Sequence, residues 1–236
     1  MSGHSKWATT KRQKAAIDAK RSNIFTKVSN AISIAAKEGS DLETNFKLRI
    51  AVEKAKQANM PKDNIERAIA RGSGKGDDAQ LEQLTYEGFG PEKIGVIVEA
   101  VTDNRNRTVA SLKQIFSKYG GQLTASGSVV WTFDRVGVIV CELAGQITEE
   151  QELNLIDAGI SDWEQQVGQI IIYSAAQDLQ KINEQIKKMG WKIISSELEY
   201  IAKETIKVTQ PDKWEQFKES LEQDDDVNNF FSNAAD

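Results

Sequence analysis

The chain has one cysteine and one histidine in 236 residues, and these scarcities remove whole classes of chemistry. A lone Cys141 excludes an internal disulfide framework and fits a reducing compartment. It sits in the apolar run VGVIVCEL, which reads as a strand, so it is expected to be a small core residue. His4 has no second histidine and no cysteine cluster with which to complete a zinc site. The same shortage excludes most acyl-transfer triads. With 35 acids a carboxylate-only active site stays open, but no spacing singles out a pair. No catalytic residue, metal or cofactor is therefore assigned, and the protein is expected not to be an enzyme. Long apolar runs are missing too. Ile94–Val98 and Val136–Cys141 are broken by glycine, and nothing approaches the roughly 18–20 apolar residues of a membrane span. The front end lacks the apolar core of a secretory signal, so no membrane partner and a cytoplasmic location are expected. GSGKGDD at 72–78 falls short of a phosphate loop, because Ile69 stands where the motif needs glycine and Gly76 where it needs Ser or Thr.

What is present is charge, and it is segregated. The chain carries a net −5, yet its first 27 residues hold Lys6, Lys11, Arg12, Lys14, Lys20, Arg21 and Lys27 against one acid, Asp18. Residues 1–75 have 16 basic and 7 acidic side chains, a balance of +9. Residues 76–136 stand at −2 and residues 137–236 at −12. Such asymmetry speaks of partners, and a +9 region is the electrostatic footprint of a polyanion binder.

Periodicity divides the chain in the same places. Ile17, Ile24, Val28, Ile32 and Ala35 recur at helical spacing, and EGS at 38–40 ends that helix. A second helix is expected over Leu42–Asn59. A third starts at Pro61, stops at Gly72, and carries Ile65 and Ile69 inward with Arg67 and Arg71 roughly opposite. After the linker at 72–78 the pattern turns mixed. LTYEGFG, GVIVEAV, VVWTFD and VGVIVCEL read as strands, with a helix over 107–119. From VGVIVCEL onward the order is strand, helix near 148–158, two strands within 161–173, helix 175–189 and the strand WKIISSEL, which is the ferredoxin-like order. A strand around IKVT, the helix DKWEQFKESLEQ and VNNFF complete the chain. The fold class is α+β and multidomain.

Three constellations could carry function. The basic front end would release counterions on meeting phosphates, and Trp7 either stacks on an unpaired base or packs against the body. In TDNRNRTV, Asn104 or Asn106 caps the helix that follows. Arg105 and Arg107 then crowd a helix N-terminus, a position that favours an anion, so a phosphate held by Arg105, Asn106 and Arg107 is expected unless Asp103 supplies the negative charge. Finally, Asn59–Met60–Pro61 is tight enough for a helix-turn-helix with Asn64, Arg67 and Arg71 toward a groove. Asp63 and Glu66 among them would repel phosphates, which disfavours base readout from this helix.

SGHSKW, KAAIDAKRSNIFTK, KAKQANMPKDNIERAI, YEGFGP, TDNRNRTV, FSKYGG and GSVVWTFDRVGVI, in that order over residues 2–139, resemble the YebC family. DDDVNNFFSNA resembles the family's close. The chain departs from the usual pattern at Thr9–Gln13, where Lys11 and Arg12 keep positive charge, and at Asn45–Phe46. The resemblance implies a helical bundle over 1–75, an α/β domain over 80–135 plus 205–236, and a ferredoxin-like domain over 136–204 inserted within it. It implies a non-enzymatic regulator of gene expression. Bacterial members are described as transcriptional regulators that bind DNA, and mitochondrial relatives as translational activators, so nucleic acid, whether DNA or ribosomal RNA, is the expected partner.

Overall fold

A computed structural model describes residues 22–74 and 81–235. Three helices come first: α1 over 22–36, α2 over Phe46–Gln57 and α3 over Lys62–Gly72. Their inner faces meet in one core of Val28, Ile32, Leu48, Val52, Ile65 and their neighbours. The second helix begins four residues later than its periodicity suggests. Buried Asn45 is the reason: its Oδ1 accepts from the Leu48 N–H at 3.0 Å, while its Nδ2 donates to the carbonyls of Ala35 at 2.7 Å and Gly39 at 2.6 Å. One side chain thus starts α2 and closes the end of α1. Helices α1 and α3 touch most closely at Gly72, where a Cβ would lie 2.1 Å from the Ser33 carbonyl oxygen. Only glycine permits that approach.

The second region is a four-stranded sheet in which β3 (Gln122–Thr124), β1 (Glu82–Phe89), β2 (Gly95–Thr102) and β9 (Val227–Ser232) lie side by side in that order. Strands β1 (Glu82–Phe89) and β2 (Gly95–Thr102) form an antiparallel pair. Helices α4 (Arg105–Lys118) and α7 (Pro211–Glu222) contribute Leu112, Phe116, Trp214 and Phe217 to the core beside Val96 and Val98. The rings of Phe116 and Phe217 meet edge to face at 5.1 Å. Ile97 belongs instead to a smaller cluster with Val129 and Phe133. Buried on both faces, β2 reads as a nearly unbroken apolar run. Strand β3 (Gln122–Thr124) pairs with β1 and is too short to carry a periodic signal.

The third region is β4 (Phe133–Glu142), α5 (Glu149–Ala158), β5 (Asp162–Gln166), β6 (Gln169–Ala175), α6 (Leu179–Lys188) and β7 (Ile193–Ala202). Its sheet runs β5-β6-β4-β7, every neighbouring pair antiparallel, which is the ferredoxin-like arrangement. Ile139, Cys141, Ile170 and Ile172 share a core with Leu155, Ile182 and Ile186 of the two helices. Burial pushes the Cys141 thiol up to about 12, as befits a core residue. After β7 the chain returns to the second sheet, where β9 (Val227–Ser232) pairs with β2. The ferredoxin-like unit is therefore inserted. Two short strands, β8 (Ile206–Lys207) and β10 (Ala234–Ala235), pair in parallel. No helix among the described residues is long and apolar enough to cross a membrane.

Two expected strands are altered, each by a carboxylate. In VVWTFD, Val130–Thr132 form a 3-10 turn and the strand begins only at Phe133. Buried Glu87 accepts the backbone N–H groups of Gly127 at 2.7 Å, Val129 at 2.6 Å and Val130 at 2.8 Å, so these donors are withdrawn from any ladder. IKVT shrinks to the two residues of β8 because Glu92 takes the N–H groups of Thr209 and Gln210. Burial alone would push the Glu87 carboxyl up, but the three N–H bonds outweigh it and hold it below its ordinary 4.5. A depressed carboxylate stabilises the fold above its unfolded pKa, and that contribution is lost as pH falls through the folded value. Glu87→Gln, which turns one acceptor into a donor, is expected to cost about 2 kcal/mol at neutral pH. Thermal melts should show the gap from wild type narrowing as pH falls below 4.5; a gap independent of pH would refute this role.

Candidate nucleic-acid interface

Of the expected phosphate-binding residues, Lys6, Trp7, Lys11, Arg12, Lys14, Lys20 and Arg21 lie outside the described residues. Lys27 is described, and its surroundings are not those of a free cation. Burial pushes its amine down, against the upward pull of the carboxylates of Glu222, Asp224 and Asp225. Beside it the Asn23 amide donates to Asp225 Oδ1 at 3.3 Å. The first helix therefore meets the acidic turn between α7 and β9 through Asn23, and Lys27 lies in the field of that turn's carboxylates.

Carboxylates also surround the arginine pair. Asn104 is the N-cap of α4, its Oδ1 accepting from the Arg107 N–H at 3.1 Å, and Asn106 is exposed in the first turn. The anion at this helix end is already present as protein carboxylate. Arg105 pairs with Glu82. Arg107 donates to Asp226 at 2.7 and 3.2 Å and reaches Asp103 at 2.9 Å. The Asp226 hydrogen bonds are the chief reason its guanidinium is held above its ordinary value. Asp226 also accepts the Thr108 hydroxyl at 2.8 Å, and its own N–H donates to Asp224 Oδ1 at 3.0 Å. Three consecutive aspartates accept donors here: Asp224 bonds the Ser111 hydroxyl, Asp225 the Asn23 amide, and Asp226 the one cation of the three, Arg107.

The third constellation is rearranged. Arg71 does not lie opposite the packed side of α3. Its Nε donates to Ser33 Oγ at 3.0 Å, and its Nη2 donates to Ser29 Oγ and Asn30 Oδ1, each at 3.2 Å. Every acceptor is neutral. Exposed Arg67 donates to the Asp63 carbonyl at 3.3 Å and to the Asn64 side chain. Neither arginine has an ion pair among the described residues. Of the acids on this helix, Glu66 faces Lys62 at 3.4 Å, and Asp63 meets Arg67 through its backbone carbonyl. The sequence did hold a signal for the arrangement. Ser29, Ser33 and Gly72 form a track of small residues along which α3 can draw close to α1.

Acids on β2 and β7 also influence one another. Burial pushes Glu99 and Glu199 up, Glu197 adding like-charge repulsion to both, while Arg135 and Lys54 oppose. Lys54 of α2 bonds Glu197 at 2.7 Å, tying the helical region to the third sheet. No group of acids, histidines or cysteines among the described residues has the arrangement of a metal site.

A family profile described as the TACO1/YebC protein N-terminal domain matches residues 5–75, and one described as the TACO1/YebC second and third domain matches residues 81–234. A protein of Caldanaerobacter subterraneus named "Probable transcriptional regulatory protein" is 46% identical over 99% of this chain and 98% of its own. One of Thermoanaerobacter pseudethanolicus with the same description is 45% identical over 99% and 97%. The crystal structure of a conserved hypothetical protein from Aquifex aeolicus superposes with a TM-score of 0.81 at 36% identity, covering 93% of this chain and 92% of that one. With both profiles spanning nearly its whole described length, the chain belongs to the TACO1/YebC family.

Proposed function

We propose that this protein is a non-enzymatic regulator of gene expression that holds nucleic acid through the cations of its front end, above all Lys6, Lys11, Arg12, Lys14, Lys20 and Arg21. The observation that carries the reading is the split of charge between +9 over residues 1–75 and −12 over residues 137–236. Positive charge so concentrated attracts a phosphate backbone, while the acidic remainder repels it and so fixes which face engages. The names borne by relatives support transcription, with DNA as partner. We further read the three packed regions as domains bounded close to residues 75, 135 and 204, the second resumed after the third, and the cytoplasm as the site of action.

A second reading, a translational activator on ribosomal RNA, is favoured by one feature. Arg71 of α3 is engaged with α1, which leaves that helix poorly equipped to read base edges in a major groove. Sedimentation of a cell extract at physiological salt separates the two. Under the transcription reading the protein leaves the heavy fraction after DNase and stays after RNase; release by RNase alone, with ribosomal particles, would transfer it to translation. Failure to sediment with either nucleic acid would overturn both.

A further inference from the structure

Between α1 and α3 lies an open cleft of about 500 Å³, lined by Ser22, Thr26, Ser29, Asn64, Arg67 and Arg71 among others, with Phe25 and Met60 as its apolar part. No described residue that lines it is acidic, in a chain that has 35 acids. Its two guanidinium groups stand one turn apart on α3 and are held in place by neutral acceptors. Arg71 spends its Nε and Nη2 on Ser33, Ser29 and Asn30; Arg67 spends its Nε and Nη2 on the Asp63 carbonyl and Asn64. Nη1 of each has no partner among the described residues. An arginine braced by hydroxyl and amide oxygens keeps its full charge and loses little freedom on meeting an anion. The N–H groups left on Nη1 can still donate charge-assisted hydrogen bonds to phosphate oxygens. The hydroxyls at Ser22, Thr26 and Ser29 can donate as well. Ser22 directly follows Lys20 and Arg21 in the chain, so the cleft continues the basic stretch.

We infer that the α1–α3 cleft binds a backbone phosphate of the nucleic-acid strand, with Arg67 and Arg71 as its clamp. The inference rests on the proposed nucleic-acid function and adds a specific site to it. It assigns to Arg67 and Arg71 a grip on the backbone and no reading of bases.

The test is equilibrium binding of the full chain to a short labelled single-stranded RNA and to a labelled DNA duplex, measured by anisotropy between about 50 and 200 mM salt. Arg67 is exposed, so R67Q keeps the fold. It should weaken binding about fivefold on the preferred nucleic acid and flatten the log–log salt dependence by close to one unit. R71K, which retains the charge and loses the fork, should weaken binding less than R71Q. A circular dichroism melt of each Arg71 variant separates lost binding from lost fold. Unchanged affinity and slope in R67Q, while glutamate at 11, 12 and 14 abolishes binding, would overturn the cleft and leave the wider function intact. No binding of either nucleic acid by wild type would overturn both. Inorganic phosphate that protects wild type but not R67Q against thermal unfolding, with nucleic-acid affinity equal in the two, would make the cleft a free-anion site and refute the backbone assignment.

Discussion

Reversing Lys11, Arg12 and Lys14 together to glutamate is expected to abolish nucleic-acid binding at physiological salt. Each phosphate contact contributes about 0.9 to the salt exponent on duplex DNA and about 0.7 on a single strand. If the front end makes about four to six contacts, affinity falls as roughly the third to fifth power of salt, and removing three contacts takes away half or more of that driving force. The three new carboxylates then repel the same backbone. A loss of at least about a hundredfold is the expected result, with the residual salt dependence much shallower. Native gels or anisotropy measure it directly, and a matching melting temperature separates lost affinity from lost fold. Undiminished binding would remove the front end from the interface.

The second large effect concerns Asp226. Its side chain is only 13% exposed, yet it accepts two bonds from Arg107 and one from the Thr108 hydroxyl. Asp226→Ala should cost about 3 kcal/mol, because it removes the largely buried carboxylate that takes two bonds from Arg107 and leaves that guanidinium with Asp103 as its one carboxylate at a helix N-terminus. That corresponds to a melting temperature about 5–10 °C lower. Arg107→Ala should cost clearly less. Arg107 is 55% exposed, and without it Asp226 keeps both Thr108 and the favourable helix end. The asymmetry distinguishes a structural ion pair from a phosphate site: a site built for an external phosphate would lose binding on Arg107→Ala and gain little from Asp226. Equal losses of stability from the two substitutions would contradict the structural assignment.

Local pattern carried most of the fold. The two strands within 161–173 and the helix over 175–189 are properties of short windows, and they appear in the structure as β5, β6 and α6, the helix starting at Leu179 after a 3-10 turn over Ala176–Asp178. So is the ferredoxin-like order, since it is only a succession of such windows. What a window cannot hold is a partner far along the chain. Glu82 lies 23 residues from Arg105, and Asp226 lies 119 residues from Arg107. The arginine turn therefore looked starved of anions when read locally. Glu87 governs the backbone at 127–130 from 40 or more residues away, and VVWTFD looked like a strand for the same reason. The α1–α3 cleft was half legible. Arg67 and Arg71 stood out as cations on α3, but helical phase alone placed Arg71 away from the packed side. Only the pairing of α1 with α3 through Ser33 and Gly72 draws it inward. The insertion of the third region was implied by family resemblance, because no residue pattern announces that β9 will return to β2.

The most direct test of the account is the affinity of the full chain for RNA and for duplex DNA as salt is raised from about 50 to 200 mM. Affinity for the preferred nucleic acid is predicted to fall steeply, with a log–log slope of about −3 to −5. Binding that ignores salt, or no binding to either at the lowest salt, would contradict the claim that clustered cations on the helical front end grip a phosphate backbone.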